Sequence, residues 1–320
     1  MSAFDRTMLG SSPAFLEVVN AARVVAATDV TTLLCGETGT GKELLARAIH
    51  AESPRAARPF LCIYCASLTE QLADSLLFGH RKGAFTGADQ DNAGYIRAAG
   101  SGTLFLDEVG ELPLDTQAKL LRFLESGECL PIGEVTPVRV DVRIIAATSR
   151  DLSAEVAAGR FRQDLFFRLN IVPLVLPPLR ERSEEVPEFL HAFLEQARKT
   201  YKLESPRFDK ASLRLLRKYA WPGNIRELRN LAERMVILLS GRTLTPENLP
   251  AEIRSSASGP NAQSAGGFRL PAEGIVMEQL EADVIRQALS RTGGNRTRAA
   301  RLLGISRDTL LYRLKKHSIA

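Results

Sequence analysis

The sequence predicts an α/β protein with a parallel sheet and a helical subdomain, followed by a small all-α helix-turn-helix domain. Short apolar runs alternate with amphipathic stretches in the first half of the chain, as is typical of parallel strands and their connecting helices. A purely helical pattern follows, and a Ser-, Ala- and Gly-rich stretch then precedes a basic helical tail. We expect an α/β subdomain over residues 1–175, a helical lid subdomain over 176–253, a flexible linker over 254–272 and a helix-turn-helix domain over 273–320.

The individual elements follow from the spacing of apolar residues. Apolar and β-branched runs predict buried strands at 31–35, 59–63, 103–106 and 142–147. Helical periodicity between the strands predicts helices at 42–50 and 114–124. The same periodicity after the last strand predicts three helices, at 186–199, 210–219 and 224–239.

Charge and composition narrow the class of protein. The 320 residues carry a net charge of +5, and residues 278–320 hold nine basic and four acidic residues, so the whole excess lies in the tail. A basic tail on a neutral body suggests a polyanionic partner, although a merely solvated basic face is the alternative. The chain has no apolar run long enough for a transmembrane helix, no signal peptide and no disulfide framework. We therefore expect a soluble cytoplasmic protein.

Residues 36–42 read GETGTGK and predict a phosphate-binding loop between a strand and a helix. Its glycines allow successive N–H groups to face one anion, and the dipole of the following helix adds to this field. Lys42 then reaches the β and γ phosphates. Position 43 is Glu rather than Ser or Thr, so the usual hydroxyl ligand of Mg²⁺ is missing and the ion depends on phosphate oxygens, water and another carboxylate. The predicted loop residues are Gly36, Glu37, Thr38, Gly39, Thr40, Gly41, Lys42 and Glu43.

Two strands end in residues suited to nucleotide hydrolysis. Asp107 and Glu108 follow an apolar strand, where Asp107 would hold Mg²⁺ directly or through water and Glu108 would activate the attacking water as a general base. Thr148 and Ser149 end the next predicted strand, and the carboxyl ends of parallel strands meet at the ligand crevice. Their hydroxyls are candidates for orienting the water or sensing the γ-phosphate, and ordinary turn residues are the equal alternative.

Three arginines are candidates for contacting the γ-phosphate. Arg162 and Arg168 alternate with phenylalanines in residues 159–170, so the aromatic rings can fix the segment while the guanidinium groups point outward. Surface salt bridges are the alternative for this pair. Arg226 begins a helix after the rigid turn at 221–223, which would present it to the nucleotide.

Cys62 and Cys65 form a C-x-x-C pair. A redox or zinc site would need a matching context and further ligands, and the other two cysteines are distant in sequence. We therefore predict a structural role for both residues.

Six motifs occur in an order that resembles one family: GETGTGKE, GAFTGA (residues 83–88), TLFLDE, FRQDLFFRLN, LPPLRER and WPGNIREL. Together they are similar to the AAA+ domain of bacterial sigma-54-dependent transcriptional activators. This resemblance covers about residues 8 to 250, and the tail resembles the Fis-type helix-turn-helix of the same family. GAFTGA is the most specific of these motifs, because other AAA+ ATPases lack it.

The resemblance implies an ATP-hydrolysing ring, usually a hexamer, that converts the closed complex of sigma-54 RNA polymerase into an open one. It implies that Asp107 and Glu108 fill the metal and water-activating positions, that Arg162 and Arg168 act in trans on a neighbouring subunit, and that Arg226 is the second sensor. The residues implied to contact sigma-54 are Gly83, Ala84, Phe85, Thr86, Gly87 and Ala88. Glycine hinges would let the Phe85 tip rise or fold away, and a buried turn is the alternative.

Two positions depart from the pattern of the family. Tyr64 and Ser149 both stand where the family usually has Asn. The resemblance implies that the Asn at the first position holds the catalytic Glu inactive until the partner engages. We therefore expect Tyr64 to alter the coupling of hydrolysis to the partner.

The tail contains the spacing of a helix-turn-helix, with helices at 296–303 and 306–316 around Gly304. Leu310, Leu311 and Leu314 share the inner face of the last helix, and an apolar face at 280–289 predicts packing or dimerisation. Residues near the start of the last helix would read base edges, and Arg313 and Lys316 would hold phosphates. The predicted DNA-binding residues are Ser306, Arg307, Thr309, Tyr312, Arg313 and Lys316.

Three functional hypotheses remain at this stage. The first is an ATP-driven activator of sigma-54 promoters that binds enhancer DNA. The second is a DNA-binding regulator whose ATP site controls only assembly, and the third is a generic AAA+ loader or helicase. About 30 residues precede the first predicted strand, fewer than an independent regulatory domain needs. We therefore expect control by a separate regulatory protein or by the level of expression.

Overall fold

The computed structural model describes residues 2–256 and 277–317 and divides into two compact units, Met1–Gly259 and Pro260–Ala320. The linker predicted at 254–272 begins inside the last helix of the first unit, and its residues from 257 onward lie outside the described part. The strands are β1 (Thr32–Cys35), β2 (Phe60–Tyr64), β3 (Thr103–Asp107), β4 (Glu128–Cys129), β5 (Val138–Arg139), β6 (Arg143–Thr148), β7 (Val172–Val175), β8 (Arg207–Phe208) and β9 (Thr243–Leu244).

Helices connect and follow these strands. In the first unit they are α1 (Ala3–Thr7), α2 (Pro13–Ala26), α3 (Lys42–Ala51), α4 (Glu70–Phe78), α5 (Gly94–Ala98), α6 (Leu114–Ser126), α7 (Leu152–Ala157), α8 (Gln163–Leu169), α9 (Val186–Tyr201), α10 (Lys210–Lys218), α11 (Asn224–Leu238) and α12 (Ala251–Ser256). In the second unit they are α13 (Met277–Arg291), α14 (Arg296–Leu302) and α15 (Arg307–Lys316).

The main sheet has the strand order β2-β3-β6-β1-β7, and all neighbouring pairs are parallel. The predicted α/β parallel fold is therefore confirmed, and the four predicted strands are present with boundaries shifted by about one residue. The fifth strand, β7, is a short edge strand that contains Pro173 and was not predicted from the sequence. A proline is tolerated there because the outer side of an edge strand needs no N–H donor.

Both faces of the central strands β1, β3 and β6 are buried, which explains why these strands read as continuous apolar runs. Leu104 and Ile144 point to one face, where they pack with α6, whereas Phe105 and Ile145 point to the other, where they pack with α2 and α3. These alternate residues of β3 and β6 are at most 3% exposed. The two helical layers therefore fix the sheet, and the carboxyl ends of its strands remain available for a site.

The lid subdomain (residues 176–253 of the prediction) has its own apolar core. Trp221 is fully buried among residues of α9, α10 and α11, and its Nε1 donates a hydrogen bond of 2.8 Å to the carbonyl of Leu216. The backbone at Trp221 is left-handed, with φ of 51°. This strained turn directly precedes α11 and sets the direction in which that helix begins.

The described residues of the second unit, 277–317, form three helices that include the predicted helix-turn-helix. Ile285 of α13, Ala299 of α14 and Leu310 and Leu314 of α15 form its core. The left-handed Gly304 (φ 66°) makes the turn, and the Ser306 hydroxyl then caps α15 by accepting a hydrogen bond from the Thr309 N–H at 3.1 Å. Within the described residues of both units, no helix has the length and apolar character needed to span a bilayer.

Candidate active site

The phosphate-binding loop joins β1 to α3 at the carboxyl edge of the sheet. Gly39 and Gly41 have φ of 83° and 105°, which other residues adopt only with strain. At Gly36 a Cβ atom would lie 2.9 Å from the carbonyl oxygen of Leu176. The Thr40 hydroxyl donates to the carbonyl of Glu37 at 2.8 Å. The loop is therefore closed by its own residues and by the strand that lies beside it.

Lys42 is the buried cation of this loop. Its side chain is 7% exposed, and its Nζ donates to the Gly36 carbonyl at 2.7 Å and lies 3.4 Å from Oε1 of Glu108. A buried ammonium group beside the N-terminus of α3 forms a strong anion site. The β and γ phosphates of a nucleotide would compete with Glu108 for the same ammonium protons.

Glu108 follows β3 in a left-handed conformation, with φ of 54° and ψ of 52°. Its Oε2 accepts hydrogen bonds from both the backbone N–H and the hydroxyl of Ser149, each at 2.8 Å. A non-glycine residue held in this region of φ/ψ space costs about 1–3 kcal/mol, so the surrounding contacts must fix it. The result is a carboxylate whose two oxygens have different partners.

Asp107 lies at the end of β3 with its carboxyl group half-buried. Burial and, to a smaller extent, the negative charge of Glu108 raise the pKa of Asp107 above its ordinary value. Among the described residues no ion pair reaches Asp107, and no cluster of three or more His, Cys, Asp or Glu side chains forms a metal cage. One carboxylate beside a phosphate loop fits Mg²⁺ that arrives with the nucleotide, because this ion keeps waters and phosphate oxygens as ligands.

A cavity of about 330 Å³ connects these groups. One wall is polar, with Lys42, Asp107 and Glu108, and another contains the apolar side chains of Leu44, Phe193 and Ile225. The full lining consists of Thr38, Gly39, Gly41, Lys42, Glu43, Leu44, Tyr64, Asp107, Glu108, Phe193, Ile225, Arg226 and Arg229. The cavity is thus built from the sheet edge, the loop and the lid.

Tyr64 and Thr148 end β2 and β6, the two strands that lie on either side of β3 in the sheet. The Tyr64 side chain is 52% exposed at the end of β2, and no hydrogen bond in the described part of the chain joins it to Glu108. Thr148 is only 1% exposed, and its hydroxyl accepts from the Arg150 N–H at 3.0 Å. Thr148 is therefore the last residue of β6, with its hydroxyl bonded to the turn that follows, and Ser149 is the neighbour that contacts the Glu108 carboxylate.

The candidate arginines lie in two places. Arg226, in the first turn of α11, lines the cavity. Arg162 and Arg168 are exposed around α8, where Arg162 pairs with Asp164 at 2.7 Å and Arg168 donates to the Leu124 carbonyl at 2.8 Å. Neither of these two lines the cavity in the described residues. Their positions suit contact with a second molecule better than contact with the nucleotide of the same chain.

Residues 83–88 form an exposed loop whose base is closed by hydrogen bonds. The Gly83 N–H donates to the Ala88 carbonyl at 2.8 Å, and the Ala88 N–H donates to the Phe85 carbonyl at 3.0 Å. Gly83 and Gly87 have φ of 80° and 98°. The Phe85 ring is 37% exposed and packs edge-on against His80, with the ring centroids 5.0 Å apart.

Cys62 and Cys65 are free thiols on β2 and directly after it. Burial raises the pKa of Cys62 to about 11, and burial also raises the pKa of Cys65. Both thiols therefore stay protonated near neutral pH, as expected for structural cysteines.

The predicted DNA-binding residues divide into free and paired groups. Arg307 and Tyr312 are exposed on α15, whereas Arg313 pairs with Glu281 at 2.8 Å and Lys316 with Glu278 at 3.2 Å, both acids being on α13. Three exposed arginines of α14 were not among the predicted residues, although an Arg-x-Arg-x-x-Arg spacing marks them in the sequence: Arg296, Arg298 and Arg301.

Comparison with known families assigns the three parts of the chain. Residues 8–175 match the family described as "Sigma-54 interaction domain", and residues 180–266 match "AAA+ ATPase lid domain". Residues 276–317 match "Bacterial regulatory protein, Fis family".

Individual relatives and solved structures agree with this assignment. The chain is 46% identical over 311 residues to the transcriptional regulatory protein ZraR of Klebsiella oxytoca, with 97% of this chain and 68% of the relative covered. It is 44% identical over 315 residues to the regulatory protein AtoC of Escherichia coli, with coverage of 98% and 68%. The crystal structure of NtrX from Brucella abortus superposes with a TM-score of 0.75 at 34% identity, covering 98% of this chain and 70% of that one.

A second NtrX structure is relevant to the cavity. NtrX in complex with ATP superposes with a TM-score of 0.72 at 34% identity, covering 98% of this chain and 69% of that one. The fold, the phosphate loop with its two acids, and the three family matches lead to one assignment. The chain belongs to the sigma-54-dependent transcriptional activators: it combines an AAA+ ATPase with a Fis-type helix-turn-helix.

Proposed function

We propose that this protein binds enhancer DNA upstream of sigma-54 promoters and uses ATP hydrolysis to convert the closed polymerase complex into an open one. The observation that carries the proposal is the combination of the hydrolysis site with a separate exposed loop at residues 83–88. A nucleotide site that served only to control assembly would not need a partly exposed apolar side chain between two glycines. Acting on RNA polymerase, the protein would work in the cytoplasm.

The hydrolysis step is assigned to residues of the cavity. Lys42 and the loop N–H groups bind the β and γ phosphates. Asp107 would hold the Mg²⁺ of MgATP, an ion that would neutralise developing negative charge on the phosphates. Glu108 orients a water molecule and takes its proton, while the Ser149 hydroxyl and N–H, each 2.8 Å from Oε2, keep the carboxylate in place. Arg226 approaches the nucleotide from the lid.

The functional oligomer is proposed to be a ring, a hexamer formed from resting dimers. Arg162 and Arg168 are exposed and lie away from the cavity of their own chain, so each suits the γ-phosphate bound to a neighbouring subunit. The Asp164 partner of Arg162 is itself exposed, so little desolvation opposes the exchange of that carboxylate for a phosphate. A separate regulatory protein would act on this ring in trans.

Sigma-54 is proposed to contact the loop from Gly83 to Ala88 through Phe85 and Thr86. The Phe85 ring gains contact area if it leaves His80 and enters an apolar pocket of a partner. DNA is proposed to bind along α15 through Ser306, Arg307, Thr309 and Tyr312, with Arg313 and Lys316 on phosphates after exchange of their α13 partners.

The test separates remodelling from hydrolysis. Thr86→Ala should abolish open-complex formation at a sigma-54 promoter while ATP hydrolysis largely survives. Thr69→Ala is the matched control, since Thr69 is an exposed threonine whose hydroxyl makes no capping hydrogen bond. Equal transcription from Thr86→Ala and the control would contradict the proposal. DNA-stimulated hydrolysis without any transcriptional effect of Phe85→Ala would instead support a loader or helicase.

A further inference from the structure

Asn224 is a fully buried polar residue at the junction of the lid and the phosphate loop. Its Nδ2 donates hydrogen bonds of 3.1 Å to Oε2 of Glu37 and to the carbonyl of Thr38, and its Oδ1 accepts from the Leu179 N–H at 2.8 Å. Its backbone is left-handed, with φ of 49°, a conformation that Asn tolerates better than most residues. The side chain of Asn224 thus links the start of α11 to the phosphate loop and to the entry of the lid.

Glu37 has both carboxylate oxygens occupied by the lid. Arg180 lies 2.7 Å from Oε1 through Nη2 and 2.8 Å from Oε2 through Nη1, which is a bidentate pair. The Arg180 guanidinium and, to a smaller extent, the Asn224 amide lower the pKa of Glu37 below its ordinary value. Although Glu37 belongs to the phosphate-loop motif, its side chain therefore binds the lid.

The backbones of the two parts also touch. The Ile225 N–H donates to the Gly39 carbonyl at 3.0 Å. A Cβ atom at Gly39 would lie 2.3 Å from the Gly223 carbonyl oxygen and 3.2 Å from Cβ of Arg226. Gly39 therefore has a second role besides the curvature of the loop, because only glycine permits this approach.

We propose that Glu37 and Asn224 are positioning residues that latch the lid onto the phosphate loop and so hold Arg226 at the nucleotide. The proposal rests on the ATPase activity of the family and does not depend on the sigma-54 or DNA functions. Arg226 is two residues after Asn224 in the first turn of α11, so the placement of Asn224 sets that of Arg226. The latch also restricts the orientation of the lid, because it joins the lid to the phosphate loop through side-chain contacts and one backbone hydrogen bond.

The latch also orients the loop itself. In a trans peptide the carbonyl and the N–H point in opposite directions. Bonds from the lid to the carbonyls of Thr38 and Gly39 therefore fix the planes of the peptides that follow each of these residues. A loop with fixed peptide planes loses less conformational entropy when it binds phosphate, so the latch favours nucleotide binding.

The decisive variant is Asn224→Asp. It keeps an acceptor for the Leu179 N–H and tolerates the left-handed backbone, but it places an oxygen against Glu37 and the Thr38 carbonyl. We expect the Kd for a fluorescent ADP analogue to rise by about tenfold or more. We expect kcat at saturating ATP to fall by less than about threefold, because the catalytic groups at Glu108 are untouched.

A second substitution tests the hydrogen bond itself. Glu37→Gln in the Asn224→Asp background exchanges the polarity of the pair, since the introduced amide donates to the introduced carboxylate. We expect the Kd of this double variant to be at least about threefold lower than that of Asn224→Asp. If both substitutions caused only structural defects, the second would raise the Kd further. Glu195→Gln is the control, because it removes an exposed ion pair with Arg198 on α9 away from the loop, and its Kd should stay unchanged.

Tryptophan fluorescence decides the remaining case. Trp221 is the single tryptophan of the chain and lies three residues before Asn224 in the same turn, so its emission reports the packing of the lid. If Asn224→Asp unfolds the lid, the emission shifts to longer wavelength, and Glu37→Gln alone then decides the question through a smaller rise in Kd. An unchanged or lower Kd in a folded variant, or a double variant no tighter than Asn224→Asp, overturns the proposal.

Discussion

Ser149→Ala tests whether Ser149 supports or restrains the catalytic carboxylate. The Ser149 hydroxyl donates to Oε2 of Glu108 at 2.8 Å, and the Ser149 N–H gives the same oxygen a second bond that the substitution leaves intact. The other oxygen, Oε1, faces Lys42 at 3.4 Å. When a phosphate takes over Lys42, Oε1 becomes the oxygen that is free to accept the proton of water.

The magnitude follows from this geometry. A hydrogen bond to a charged acceptor contributes about 1.5–3 kcal/mol, and the lower end applies because one donor remains. If this energy fixes Glu108 in the transition state, its loss lowers kcat by roughly tenfold. The KM for ATP should change by less than about twofold, because Ser149 does not line the nucleotide cavity.

The assay is steady-state phosphate release at a protein concentration where activity per subunit no longer depends on concentration. Ser149→Thr keeps the hydroxyl and should retain most of the activity. Ser153→Ala, which alters an exposed serine of α7, is the control for a change in this segment. An unchanged kcat in Ser149→Ala would refute the reasoning, and a raised kcat would show that Ser149 restrains Glu108 instead of supporting it.

Three further predictions concern other parts of the molecule. Because the pKa of Cys62 is about 11, its alkylation by iodoacetamide at pH 8, followed by mass spectrometry, should be far slower than that of an exposed cysteine and accelerate as the pH rises towards 11. Glu281→Gln should free Arg313 for DNA phosphates, so the affinity for a mixed-sequence duplex, measured by fluorescence anisotropy, should rise. The slope of log affinity against log salt concentration should steepen by about one, and an unchanged slope would speak against a phosphate role for Arg313. Glu185→Ala should lower the free energy of unfolding in urea by about 3–5 kcal/mol, since it leaves Arg182, 1% exposed, without its carboxylate; a loss below about 1 kcal/mol would contradict this.

Local patterns explain what the sequence could predict. β1 and β3 are buried on both faces, so their apolar runs are continuous, and the glycines of the phosphate loop need left-handed backbone. β7 escaped prediction because Pro173 interrupts the apolar run of residues 171–176, and a proline inside such a run argues against a strand. Patterns within a few residues thus identified the strands that build the site but not the edge strand β7.

Contacts between distant residues explain what the sequence could not predict. The hydrogen bond from Asn224 to Glu37 spans 187 positions, and that from Ser149 to Glu108 spans 41. Nothing in the neighbourhood of Glu37 indicates that its carboxylate faces the lid instead of the nucleotide. In the same way, Arg313 appears as a free basic residue in the sequence, although folding places it 2.8 Å from Glu281.

The strand order gives the arrangement around Glu108 its physical cause. β6 lies between β3 and β1 in the sheet, so the residue after β6 comes between the residue after β3 and the loop after β1. Ser149 therefore approaches Glu108 from the adjacent strand β6, Lys42 approaches it from the far side of the loop after β1, and the two contact different oxygens of its carboxylate. A phosphate that binds Lys42 necessarily removes one of these two partners, while Ser149 keeps the other. In the proposed mechanism, nucleotide binding would thus be linked through Lys42 to the release of one Glu108 oxygen.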